Sequence, residues 1–184
     1  NPLFQGRVVV NDANLKLDFD GLLDLSKKEN RYDFHALIDY ADLNKLNLVK
    51  RDSISLFKGD ITMQITGNSL DNMYGNIAIS QTSYQNQKDT YFFDDFTVNS
   101  TFDENRVRTI AINSPDIIQG KIVGKYEFAQ VQKIAENAIG SLYTNYIPNK
   151  VKHGQFLDFN FSIYNKLIEI FLPQVSVGVN TFVS

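Results

Sequence analysis

Residues 52–84, DSISLFKGDITMQITGNSLDNMYGNIAISQTSY, decide the fold class. From Phe57 onward, Phe57, Gly59, Ile61, Met63 and Ile65 fall on one side and Lys58, Asp60, Thr62, Gln64 and Thr66 on the other. That is the period-two pattern of a half-buried strand. Gly67 and Asn68 interrupt it and Ser69 stands where an N-cap belongs; Leu70 and Met73, three residues apart, are expected to pin one helical turn onto the sheet. Gly75 then releases the chain into a second strand, with Ile77 and Ile79 returning to the apolar side.

The same unit recurs on both sides of this stretch. Residues 7–10 are a short β-prone run, and Asn11, Asp12 and Asn14 supply a turn. Leu15, Leu17, Phe19, Gly21, Leu23 and Leu25 then alternate with Lys16, Asp18, Asp20 and Asp24, and residues 26–30 close a hairpin into Tyr32, Phe34, Ala36, Ile38 and Tyr40. Residues 41–47 are open between a helical turn and a loop. Beyond residue 84, a polar loop at 85–89 leads to a strand predicted over 91–102, with Phe96, Val98 and Phe102 on one face. A return strand over 106–113 buries Ile110 and Ile112. After Ser114 and Pro115, Ile118, Ile122, Tyr126 and Phe128 share a side that Gly120 and Gly124 thin out.

At Phe128 the period changes. Phe128, Val131, Ile134, Ala135, Ala138, Ile139 and Leu142 recur at steps of three and four, which predicts an amphipathic helix over 128–142 with Gly140 as its stop. Its expected role is a lid on one end of the sheet; a membrane or partner role has less support, because the polar face carries Gln, Lys, Glu and Asn without a basic bias. A connector over 143–154 precedes a strand at 155–164, with Leu157, Phe159, Phe161 and Ile163 aligned, and further strands are expected at 167–172 and 175–179.

Composition narrows the function more than it names it. The 184 residues suit one domain, and a net charge of −3 gives no basic stripe for nucleic acid. Without cysteine there is no disulfide, thiolate metal site or thiol nucleophile. No apolar run reaches the roughly 20 residues of a membrane helix. His35 and His153, the two histidines, stand in unrelated contexts and read as solvated surface residues. Asp18, Asp20 and Asp24, and likewise Asp94 and Asp95, could pair as acid and base or hold calcium, but as strand residues they read as a solvated face. No phosphate-loop, dinucleotide, nucleophile-elbow or zinc-protease motif occurs, so no catalytic residue, metal or cofactor is expected. Asn99, Ser100 and Thr101 match a glycosylation acceptor, but in a strand.

Many apolar rows and a single helix leave two architectures. Two sheets can face each other in a sandwich, which sheet physics alone favours, or one sheet can curl so that its apolar rows line a groove. The sandwich would be a binding module presenting loops or a sheet edge to a protein or glycan.

Three stretches carry a resemblance: GDITMQITGNSLDNMYGNI at 59–77, INSPDIIQGKIVGKY at 112–126, and IGSLYTNYIPNK with LDFNFSIYNKLIEIFLP at 139–150 and 157–173. They resemble the AsmA-like superfamily, specifically the TamB-type translocation and assembly module proteins of Bacteroidota. The resemblance implies a mainly β fold with one amphipathic helix, its curled, antiparallel-rich sheet forming an elongated apolar groove (a β-taco). Residues 1–184 would be a single segment of a longer repetitive sheet protein, periplasmic and anchored in the inner membrane by a segment N-terminal to this one. The implied groove wall is Leu15, Leu17, Phe19, Leu23, Phe34, Ile38, Phe57, Ile61, Met63, Ile65, Ile77, Ile79, Ile118, Ile122, Phe159 and Phe161. Implied partners are phospholipid acyl chains and, through regions outside the segment, an outer-membrane assembly partner; nucleic acid is not among them. A slice of a continuous sheet should also leave unpaired strands at 7–25 and 167–183, and so favour self-association.

Overall fold

The computed structural model describes residues 2–164 and 181–183. In chain order the strands are β1 (Leu3–Asn11), β2 (Leu15–Asp24), β3 (Arg31–Asp42), β4 (Ser55–Thr66), β5 (Tyr74–Asn86), β6 (Thr90–Phe93), β7 (Phe96–Phe102), β8 (Arg108–Ser114), β9 (Ile118–Lys125), β10 (Phe156–Ile163) and β11 (Thr181–Val183). One helix, α1 (Phe128–Gly140), separates β9 from β10. All strands belong to one sheet, in the order β1-β2-β3-β4-β5-β7-β8-β9-β10-β11, with β6 beside one half of β5. Every pairing is antiparallel. The sheet is open, because β1 and β11 stand at its opposite ends. The sandwich is therefore not what the described residues form.

Short polar turns make a meander the cheapest topology, since each strand can pair with the next before a long loop has to close. Asp12 accepts from the Asn14 amide at 2.8 Å, and Asp103 from the Val107 amide at 2.7 Å. Residues 43–47 resolve as a helical turn begun by Asp42, whose side chain accepts from the Lys45 amide at 3.1 Å.

Several expectations from the sequence need correction. Alternation in β3 changes phase at Asp39: Leu17 faces Ile38 while Lys16 faces Tyr40, so Ala41, not Tyr40, continues the apolar row. A second bulge lies in β5, where Gln81 takes a φ of 51° and moves Tyr84 onto the face of Ile77 and Ile79. The strand predicted over 91–102 breaks at Asp94 and Asp95 into β6 and β7, which share the long neighbour β5. In the turn at 67–73 the organising group is the Asn72 side chain, which accepts from the amides of Asn68 (2.8 Å) and Ser69 (2.9 Å), and Leu70 stays 64% exposed instead of pinning anything. The helix ends at Gly140 as expected and not at 142, but without a left-handed cap: the backbone stays right-handed at Ser141, and the Tyr146 ring covers Gly140. The strands expected at 167–172 and 175–179 lie outside the described residues.

Candidate functional site

The ladders place every proposed wall residue on one face of the sheet. Phe19, Ala36, Ile61, Ile79 and Phe96 form one cross-strand row, and Gly21, Phe34, Met63, Ile77, Val98, Ile112, Gly120 and Phe161 the next. A third row runs through Phe4, Leu23, Tyr32, Ile65, Gly75, Ser100, Ile110, Ile122 and Phe159. Leu17 and Ile38 pair beside the first row, Leu15 and Phe57 both face Ala41, and Ile118 faces both Ser114 and Ile163. The face is continuous because a meander with tight turns stacks side chains of equal parity strand after strand.

Among the described residues this face carries little covering layer. Ala36, Ala41, Ile65 and Ile110 are its buried hydrophobic members, while the remaining wall residues are only half-buried. Aromatic rings level the face where glycine leaves a dent. Phe4 leans over Gly6 and Phe57 over Gly59, Phe161 covers Gly120, and the rings of Phe4, Phe19 and Phe34 follow one another at 5.8 and 5.0 Å.

Two buried polar clusters that the sequence reading missed stand at opposite borders of the face. At one border Arg108, 6% exposed, stands on the parity of Ile110 and Ile112. Its guanidinium donates to Ser100 Oγ at 2.9 Å and to the carbonyls of Leu70 and Met73, and lies between the rings of Phe102 (5.2 Å) and Phe128 (5.3 Å). Burial lowers the Arg108 pKa and raises that of the neighbouring Tyr126, whose hydroxyl is buried without a hydrogen bond. The signal was present in the sequence, an arginine in phase with two isoleucines.

At the other border the hydroxyl of Tyr84 donates to Asp52 Oδ2 at 2.7 Å and lies 3.0 Å from the hydroxyl of Ser55, which is fully buried. Gln87 (3.3 Å) and Arg51 (3.1 Å) also donate to the Asp52 carboxylate. Tyr84, with help from Arg51 and Gln87, holds the Asp52 carboxyl below the usual range, and burial raises the Tyr84 hydroxyl above its own. Asp18, beside Arg7, and Asp24, beside Ser26 and Lys27, are also lowered. A depressed carboxyl adds stability above its unfolded value and loses it as pH falls through the folded value. Stability should therefore drop as pH falls below about 4. Asp52→Asn should be less stable at pH 7 and lose less on acidification, as read from urea midpoints at pH 7 and pH 3. An unchanged acid limb would contradict the assignment to Asp52.

The acidic and histidine candidates do not converge. Asp24 is buried and receives the Ser26 amide at 3.0 Å, which departs from a solvated role. His35 Nε2 lies 2.6 Å from Asp60 Oδ1 on the polar face, so it is paired and not simply solvated, whereas His153 is exposed in the connector. Among the described residues no group of His, Asp and Glu could hold a metal ion, and no helix is long and apolar enough to cross a membrane. Ser100, in the acceptor-like triplet, is buried and bonded to Met73 O at 3.0 Å.

The chain matches no family model, no curated protein and no solved structure.

Proposed function

We propose that this chain is a non-enzymatic segment of a TamB-like, periplasm-spanning protein of the AsmA-like superfamily. Its sheet curls around the apolar face to make a groove that conducts phospholipid, assists outer-membrane protein assembly, or both, in support of outer-membrane biogenesis. An inner-membrane anchor and the contact with an outer-membrane assembly partner belong to parts of the protein beyond this segment. The observation that supports this reading is the apolar face itself, continuous from β1 to β10 and left half-exposed on an open sheet. Each methylene that moves from water onto such a wall gains about 0.8 kcal/mol, and a wall without polar anchors lets an acyl chain slide.

A second reading, recognition of a strand by the sheet edge, is favoured by β1. Among the described residues it pairs with β2 alone, and it contains no proline and keeps Leu3 and Val9 exposed. An added strand there could come from a client protein or from a second copy.

Native mass spectrometry of the chain with phospholipid extracted from its host separates the two. Ile61 and Ile77 lie in adjacent rows near the middle of the face, so Ile61→Asp with Ile77→Asp sets two carboxylates in the path of an acyl chain. The wild-type chain should retain phospholipid and the folded double variant should not. Both remaining folded and lipid-free would remove the conduit and leave the edge reading.

A further inference from the structure

The connector after α1 presents large apolar side chains on a backbone that is tied down. Ile139, Leu142, Tyr143 and Ile147 are exposed, Leu142 at 83% and Ile147 at 88%. Beneath them Asn137 accepts from the Tyr146 hydroxyl (3.0 Å) and the Asn149 amide (2.6 Å), and donates to Asn149 O at 2.9 Å. The amides of Ser141, Leu142, Tyr143 and Tyr146 each donate to a carbonyl three or four residues back. The Tyr146 ring fills the place a β-carbon would take on Gly140. The apolar stripe predicted for the helix thus continues past its covered part into an ordered apex.

Charge around the apex is mixed in space, since the Asn149 side chain donates to the Glu136 carboxylate at 2.8 Å. No acidic residue occurs between Glu136 and Asp158, whereas Lys150, Lys152 and His153 follow the apex and are exposed. Lys152 reaches back to Glu127 at 2.6 Å. Separate protruding side chains need no matching pockets to leave water at a bilayer, while a protein partner would have to be shaped around each of them.

We infer that residues 139–150 are a membrane-interface anchor. Ile139, Leu142 and Ile147 enter the boundary between headgroups and acyl chains of a phospholipid bilayer, with Tyr143 at the headgroup level and Lys150 toward the phosphates. The inference goes beyond the conduit reading and does not depend on it, since the apex lies on the connector to β10 and not on the apolar face of the sheet.

The chain has no tryptophan, so one can be placed as a reporter. Leu142→Trp replaces an exposed side chain at the apex, and Phe92→Trp does the same on β6, where Phe92 is 70% exposed. With phosphatidylethanolamine–phosphatidylglycerol vesicles, the Leu142→Trp emission should shift to the blue and be quenched by brominated acyl chains, while Phe92→Trp stays unchanged. Leu142→Ser with Ile147→Ser should lower vesicle co-sedimentation by about tenfold or more. Ile61→Asp with Ile77→Asp should leave it intact, which separates this anchor from the groove. The anchor is overturned if the apex reporter does not respond, if both reporters respond alike, or if the blue shift occurs without vesicles and grows with protein concentration, which would mark contact between copies.

Discussion

Arg108→Leu is expected to lower the unfolding free energy by about 3 kcal/mol, because buried acceptors that lose their donor cost roughly 1–3 kcal/mol each. The guanidinium ties its own strand β8 to two other segments: Ser100 on β7, and the carbonyls of Leu70 and Met73 in the turn between β4 and β5. Leucine suits the apolar side of β8 that carries Ile110 and Ile112, so the loss comes from Met73 O and Ser100 Oγ far more than from shape. Leu70 O contributes least, since Leu70 is exposed and water can replace the donor. The Asp71 side chain of the same turn accepts from the Phe128 amide at 2.7 Å, so loosening the turn should also loosen the start of α1. Urea unfolding followed by circular dichroism gives the free energy, and amide exchange at 67–73 gives the locality. A loss below about 1 kcal/mol, within the range of an ordinary surface change, would show that the guanidinium does not bind the seam.

Gly75→Ala is expected to be at least as damaging, at about 3 kcal/mol or more, from backbone strain and overpacking combined. Gly75 has a φ of 127°, and an added β-carbon would overlap the Gln64 carbonyl and crowd Ile65 on the paired strand β4. The position has strands on both sides, Ile65 of β4 and Ser100 of β7, so neither neighbour can retreat. For a chain of this length the melting temperature should fall by roughly 10 °C. Gly154→Ala is the control. Its φ is 76° but nothing lies within 4 Å, so only the left-handed strain of roughly 1–2 kcal/mol applies. Equal losses at the two glycines would show that the close approach of β4 contributes nothing.

Much of the sheet was legible because period two and tight turns act over a few residues. The alternation at Leu15–Leu17–Phe19 and at Ile61–Met63–Ile65 already assigns each side chain a face, and antiparallel hairpins carry that face from strand to strand. The bulges at Asp39 and Gln81 were not legible. A bulge is a property of two paired strands, and nothing in either segment alone says which of them takes the extra residue. The break at Asp94 and Asp95 has the same origin, since β5 is long enough to hold two neighbours at once. Leu70 misled for a different reason. Spacing of three with Met73 suits a helical turn, but the Asn72 side chain satisfies the turn amides and removes the need to pack.

The sequence by itself determined the mainly β class, the position of nearly every strand, the helix at 128–140, and the single face on which the proposed wall residues gather. Short-range forces suffice for these: side-chain parity, turn chemistry and the change of period at Phe128. Tertiary structure alone decided that the rows join one open sheet instead of two facing ones, that Arg108 is buried against carbonyls at least 35 residues away in sequence, and that Leu142 and Ile147 point into water. Each of these depends on which distant segment covers a surface, and coverage is set by the balance of burial and closure over the whole chain, which no local pattern records.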